Sequence, residues 1–136
     1  MDVRISRSLL EQIVAEAAGR TVEICGLLMG RDHHIEAILP AANVAADPAR
    51  HFELDPQVLL RAHREARRGG ARVLGHYHSH PSGVAIPSAT DAACAAPDGS
   101  LWLIVAGGAA RLWRAGAGDG GVVFDEVELC FSEADA

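Results

Sequence analysis

The stretch "GHYHSHPSGVAIPSATD" (residues 75–91) sets three histidines on alternate positions, then a gap holding glycine and two prolines, then a serine and an aspartate. With the preceding "ARVL", residues 71–81 read as one strand running into the histidines, and "SATDAACAA" (88–96) as a short helix. Alternate side chains of a strand share a face. His76, His78 and His80 therefore point one way, and Tyr77 and Ser79 the other. Neighbours on one face lie about 7 Å apart along the strand, close enough for two imidazoles to converge on one ion. Periodicity does not choose which two. A catalytic zinc takes three protein ligands from His nitrogen and Asp/Glu oxygen and keeps an open position, and His-x-His with one carboxylate supplies that inventory. Ser88-x-x-Asp91 also has the spacing of a helix capping box. The two readings share a geometry and differ only in what the aspartate touches.

Working outward, Ser6 or Ser8 caps a first helix within "MDVRISRSLLEQIVAEAAG", with Leu10, Ile13, Val14 and Ala17 on one face and Gly19 ending it. "VEICGLLMG" (22–30) is a nearly continuous apolar run, expected as a buried strand. "HIEAILPAANV" (34–44) is its partner across a turn at 31–33, and "HFEL" (51–54) a third short strand. Asp55-Pro56 opens a second helix as cap and first-turn proline. Leu59, Ala62 and Ala66 form its apolar stripe, and Gly69-Gly70 stop it. Strands at "LWLIVAG", "ARLWRA" and "VVFDEVELCF" follow, the last two joined by a turn in "GAGDGG" (116–121). Strands and helices mix without strict alternation, which predicts an α/β domain: a mixed, curved β-sheet flanked by helices.

Composition narrows the function. The 136 residues fit one domain, 1–136, and the net charge of −6 leaves no basic excess for a phosphate backbone, which argues against nucleic acid. All 12 basic residues are arginine. Three cysteines, Cys25, Cys94 and Cys130, make neither a CxxC pair nor a disulfide framework, which points to a reducing cytoplasm. The longest apolar run, "LWLIVAGGAA", is about half a membrane span. No signal peptide is visible, and the expectation is a soluble cytoplasmic protein.

Glu23 is out of place in the apolar run 22–29. An unpartnered buried charge costs several kcal/mol. Glu23 is therefore either at an exposed strand start or held beside a cation, where it could serve as a general base.

Glu23 followed by "CGLLMG", then His78-Ser79-His80, seven residues, Ser88, two residues and Asp91 resembles the JAMM motif of the MPN+ zinc metallopeptidases. "HFELDP" before the second helix belongs to the same resemblance. The resemblance implies a JAMM-like, cytidine-deaminase-like architecture with one zinc per chain, held by His78, His80 and Asp91 with water in the fourth place. It makes Glu23 the general base and acid, Ser88 the hydrogen-bond donor to the oxygen of the tetrahedral intermediate, and His76 only a neighbour. The reaction it implies is hydrolysis of an amide or isopeptide bond. The chain has little room for the insertions of members that cut ubiquitin chains. It is similar to the small prokaryotic members, whose substrates are ubiquitin-like or sulfur-carrier proteins with a Gly-Gly tail, and the resemblance implies a tail bound by strand addition beside the metal. Catalytically dead MPN scaffolds are the alternative. A zinc nucleobase deaminase would need His-x-Glu and Pro-Cys-x-x-Cys, and neither is present.

The remaining residues have plainer readings. His33 and His34 belong to a turn, and His51 and His63 are surface or structural groups. Cys25, Trp102 and Trp113 pack in the core, and Arg61, Arg64, Arg67 and Arg68 form a solvated helix face.

Overall fold

A computed structural model describes residues 2–132. Seven strands and three helices follow in the order β1 (Asp2–Ile5), α1 (Arg7–Ala17), β2 (Cys25–Arg31), β3 (His34–Ala41), α2 (Pro56–Arg67), β4 (Arg72–Ser79), α3 (Ala89–Cys94), β5 (Leu101–Ala106), β6 (Ala109–Gly118) and β7 (Gly121–Phe131). The sheet is mixed and accompanied by helices, as expected, but it goes further than a curve. It closes as a barrel in the order β1-β3-β2-β4-β5-β6-β7.

Closure depends on β1, which the sequence reading merged into the first helix. Val3 and Ile5 alternate with exposed residues and are fully buried. β1 pairs parallel with β7 along its length and with the start of β3. Four residues are too few to display a period of two beside a strongly helical segment. The helix itself begins where Ser6 caps it, its Oγ accepting the Leu9 amide at 3.1 Å.

β2 is apolar from Cys25 to Gly30 because both of its faces are covered there, and only Arg31 at its end is exposed. Leu28 joins the main core with Ile13, Ile35, Tyr77 and Leu103, while Leu27 and Met29 pack with Ala62 of α2. The turn after β2 is held by Asp32 and His33, both with left-handed backbone, as a two-residue type I′ hairpin requires. β4 lies between β2 and β5, antiparallel to one and parallel to the other. Two glycines permit that packing. A Cβ on Gly75 would overlap the Leu101 backbone, and one on Gly26 would overlap the Tyr77 ring, whose hydroxyl reaches Glu16 of α1.

"HFEL" is not a strand. Only a single bridge joins Leu54 to Asn43, and β3 ends at Ala41. The side chains of this loop serve the site instead. α2 starts as expected, with Asp55 accepting the Gln57 amide and Pro56 in the first turn, and its three arginines, with Arg68 just past its end, are exposed. Among the described residues no helix is long and apolar enough to cross a membrane.

Candidate metal centre

β4 delivers its histidines on one face, as its alternation demands. Nε2 of His76 lies 3.2 Å from Nδ1 of His78, and Nε2 of His78 lies 3.1 Å from Nε2 of His80. α3 supplies the carboxylate. Asp91 Oδ2 is 3.3 Å from His78 Nε2 and 3.0 Å from His80 Nε2. The capping box is also complete: Ser88 Oγ accepts the Asp91 amide at 3.0 Å, and Asp91 Oδ2 accepts the Ser88 amide at 2.9 Å. Cap and cluster coexist, sharing one carboxylate.

Glu23 enters from the segment just before β2. The antiparallel register pairs Cys25 with His78, and Ser79 extends it by exchanging bonds with Ile24 at 3.2 and 2.9 Å. Continuing that register puts Glu23 opposite His80. Glu23 stands at a strand start, as one reading expected, but it is not exposed: only 5% of its surface is accessible. One of its carboxylate oxygens and one ring nitrogen each of His78 and His80 all lie within 4.8 Å of one another. Glu23 Oε1 has no hydrogen-bond partner among the described residues.

These surroundings set the protonation states. Burial pushes the Glu23 carboxyl up to about 7, the charge on His80 opposing and that on Asp91 reinforcing the rise. Burial also resists ionisation of Asp91, yet in the metal-free site, where His78 and His80 can turn an Nε2–H toward it, their hydrogen bonds, the His78 charge and the Ser88 amide hold its carboxyl well below the usual range. His78 is shifted down by burial despite Asp91. In His80 burial is outweighed by bonds to Asp91 and to the Val84 carbonyl, and the shift is upward. Cys25, paired with His78 across the sheet, is pushed up to about 12 by burial and by Glu16 and Glu23, so it is an inert core thiol.

The donor set fits a small divalent ion. A tetrahedral zinc with bonds of about 2.0–2.2 Å requires donors about 3.3–3.6 Å apart. The three edges of the His78–His80–Asp91 triangle, 3.1, 3.3 and 3.0 Å, are that face slightly contracted. His80 Nδ1 is 2.7 Å from the Val84 carbonyl oxygen, which can only accept. Its proton is therefore on Nδ1, and Nε2 of the neutral ring is bare toward the triangle. The orphaned Glu23 oxygen beside it is a buried acceptor waiting for a donor.

A second layer was not visible in the sequence. Asn43 is a saturated clamp: its amide nitrogen donates to the carbonyls of Glu23 (2.9 Å), His51 (3.0 Å) and Pro48 (3.4 Å). Its oxygen accepts from the amides of Ala45 (3.0 Å) and Glu53 (3.1 Å). The Glu23 amide bonds the Pro48 carbonyl at 2.7 Å. Asn43 thus ties the loop after β3 to the Glu23 backbone. The same loop lays Phe52 flat against His78, centroids 4.3 Å apart. Trp102, expected simply as core, is buried edge-on to His76 at 4.3 Å. A lone asparagine among alanines was the available signal for the clamp; nothing local announced the aromatic contacts.

Glu23, His80 and Ser88 line one cleft of about 520 Å³, together with Arg50, residues 81–84, Ile86 and Pro87. Val84 and Ile86 are exposed there. A smaller cavity of about 400 Å³ meets His80 and Pro81 from the other side, walled largely by alanine and glycine.

A match to the prokaryotic homologs of the JAB domain spans residues 6–116. The chain belongs to that family. The JAB-family match takes in the Glu23 segment, the histidine strand and the Ser88–Asp91 helix, and agrees with the family expected from the motif. The chain is 37% identical over 100 residues to a Haloferax volcanii protein named desampylase, covering 71% of this chain and 72% of that one. It is 38% identical over 88 residues to a Thermus thermophilus protein named a probable TtuB-protein conjugate cleaving protease, covering 64% of this chain and 59% of that one. Among solved structures, a solution structure from Desulfitobacterium hafniense matches this JAB-family chain with a TM-score of 0.80 at 30% identity, covering 96% of this chain and 93% of the other.

Proposed function

We propose that the chain, taken as one JAMM-type domain over residues 1–136, is a cytoplasmic zinc-dependent metallopeptidase. Its reaction is hydrolysis of the amide or isopeptide bond after the C-terminal Gly-Gly of a ubiquitin-like or sulfur-carrier protein. The observation that carries this reading is the convergence of His78 Nε2, His80 Nε2 and Asp91 Oδ2 beside the unpartnered, buried Glu23 Oε1. The names of the two relatives support the substrate class, since both describe release of a protein from a conjugate.

His78, His80 and Asp91 hold one zinc ion. When bound, zinc supplies a Lewis acid that polarises the scissile carbonyl and lowers the pKa of water. Glu23 takes a proton from the attacking water. Buried beside the donor triangle with one oxygen unpartnered, its carboxylate is placed to accept that proton and to give it up again. The water oxygen adds to the carbonyl carbon, the C–N bond breaks, and Glu23 passes the proton to the departing amine. Ser88 Oγ accepts the Asp91 amide and so keeps its O–H free to donate to the developing oxyanion. The cleft beside Glu23 and the cavity across His80 leave room for an extended tail and for the group it carries.

A non-catalytic scaffold is the less favoured reading, because an unpaired buried acceptor costs about 1–3 kcal/mol and a scaffold has no use for it. The test is cleavage of a Gly-Gly-tailed carrier joined through an amide to a reporter. Wild type releases the reporter, and Glu23→Gln binds zinc but does not. Full cleavage by Glu23→Gln would refute the mechanism.

A further inference from the structure

The third histidine of the strand lies outside the ligand set, yet it is buried and in contact with it. We propose that His76 is a positioning residue for the metal, accepting a hydrogen bond from Nδ1–H of His78 and so keeping the His78 Nε2 lone pair on the donor triangle. The inference rests on the zinc reading above.

A neutral imidazole carries one proton. For His78 to ligate through Nε2, that proton must sit on Nδ1, which lies 3.2 Å from His76 Nε2. His76 must then be bare at Nε2. The two ligand histidines are therefore supported differently. His80 has a backbone carbonyl, Val84 O, that admits one tautomer only. His78 has a second imidazole, which admits two. In the reverse arrangement His76 donates to His78 Nδ1, and His78 turns an N–H toward Asp91 Oδ2, 3.3 Å away. That tautomer closes the site to a metal. Ligating histidines characteristically give their second N–H to an acceptor that fixes ring and tautomer; here the acceptor is another side chain of the same strand.

The surroundings hold His76 in place for this. Trp102 meets its ring edge-on at 4.3 Å and Phe52 lies 4.8 Å away, while Phe52 also stacks on His78 with planes 19° apart. His78 is fully buried, so water does not replace the missing acceptor.

The experiment is zinc affinity by competition with a chromogenic chelator at neutral pH, for wild type, His76→Phe and His76→Gln. Phenylalanine fills the aromatic pocket without an acceptor; glutamine offers an amide oxygen. Zinc binding is expected to weaken about 10–100-fold in His76→Phe and to recover substantially in His76→Gln. Wild-type affinity in His76→Phe would overturn the inference, as would a Gln variant no better than Phe. If the Phe variant does not fold, ¹⁵N shifts of the imidazoles in zinc-loaded wild type decide: a bare, accepting His76 Nε2 supports the role and a protonated His76 Nε2 overturns it. A wild type that binds no zinc would sink the metallopeptidase reading as well. An indifferent His76→Phe in a zinc-binding protein would sink this one alone.

Discussion

Asp91 Oδ2 accepts the backbone N–H of Ser88 at 2.9 Å while lying 3.0 Å from Nε2 of His80. One oxygen thus caps the start of a helix and closes a donor cluster, and the cap fixes the carboxylate rotamer that the cluster needs. Ser88→Ala removes the other half of the box, the bond from the Asp91 amide to Ser88 Oγ. It is expected to destabilise the metal-free protein by about 0.5–2 kcal/mol and, if Ser88 serves the oxyanion, to lower kcat about 10²–10³-fold. Zinc content should stay near one per chain. Denaturant titration, single-turnover kinetics and metal analysis separate the three effects.

Glu23 gives a pH prediction with a definite sign. In the unfolded chain its carboxyl ionises near its usual value of 4.5, whereas in the fold it keeps its proton up to about 7. The unfolded state therefore loses that proton first, and the folded state loses stability as pH rises from 4.5 to 7, with the cost constant above. Metal-free Glu23→Gln should be more stable than wild type at pH 8 by about 1–2 kcal/mol after allowance for screening. The difference should close toward pH 4.5. Urea midpoints at the two pH values check it.

Asn43 touches the Glu23 backbone and no proposed ligand. Asn43→Ala removes a donor to three carbonyls and an acceptor for two amides, and should cost about 1–3 kcal/mol of stability. Because Glu23 is displaced while His78, His80 and Asp91 stay on β4 and α3, kcat should fall by a larger factor than zinc affinity. Equal losses in both would contradict the clamp's assignment to Glu23.

Zinc removal should be reversible and stabilisation should follow metal. Dialysis against a chelator is expected to abolish cleavage, and stoichiometric zinc to restore it. Free zinc at 1,000 times Kd should add about 4 kcal/mol to unfolding stability. Affinity should fall as pH drops and protons compete for the imidazoles, His80 first because its shift is upward and His78 later because its shift is downward. Cleavage assays before and after zinc is restored check the first outcome, and thermal melts with and without zinc at several pH values check the other two.

How much was legible in the sequence follows the range of the interactions. The three alternate histidines and Ser88–Asp91 are local patterns, so strand alternation put the histidines on one face and capping put the aspartate at a helix start, while the choice of His78 and His80 came from the family resemblance. Glu23 was conspicuous as a charge in an apolar run, though its burial depends on the loop that Asn43 gathers over it. β1 was hidden because four residues beside a helix carry little periodic signal, and its parallel pairing with β7 joins opposite ends of the described chain. Without β1 the sheet looks curved; with it the barrel closes. "HFEL" has the composition of a strand, but Phe52 leaves the ladder to cover His78, a preference no neighbouring residue reveals.

The most direct test of the central claim is zinc content by elemental analysis, on wild type and Asp91→Ala purified side by side. The account predicts about one zinc per wild-type chain and a large loss in the variant. A folded wild type that takes up no zinc even when the metal is supplied would contradict it, leaving Asp91 a helix cap and the histidines a buried polar row.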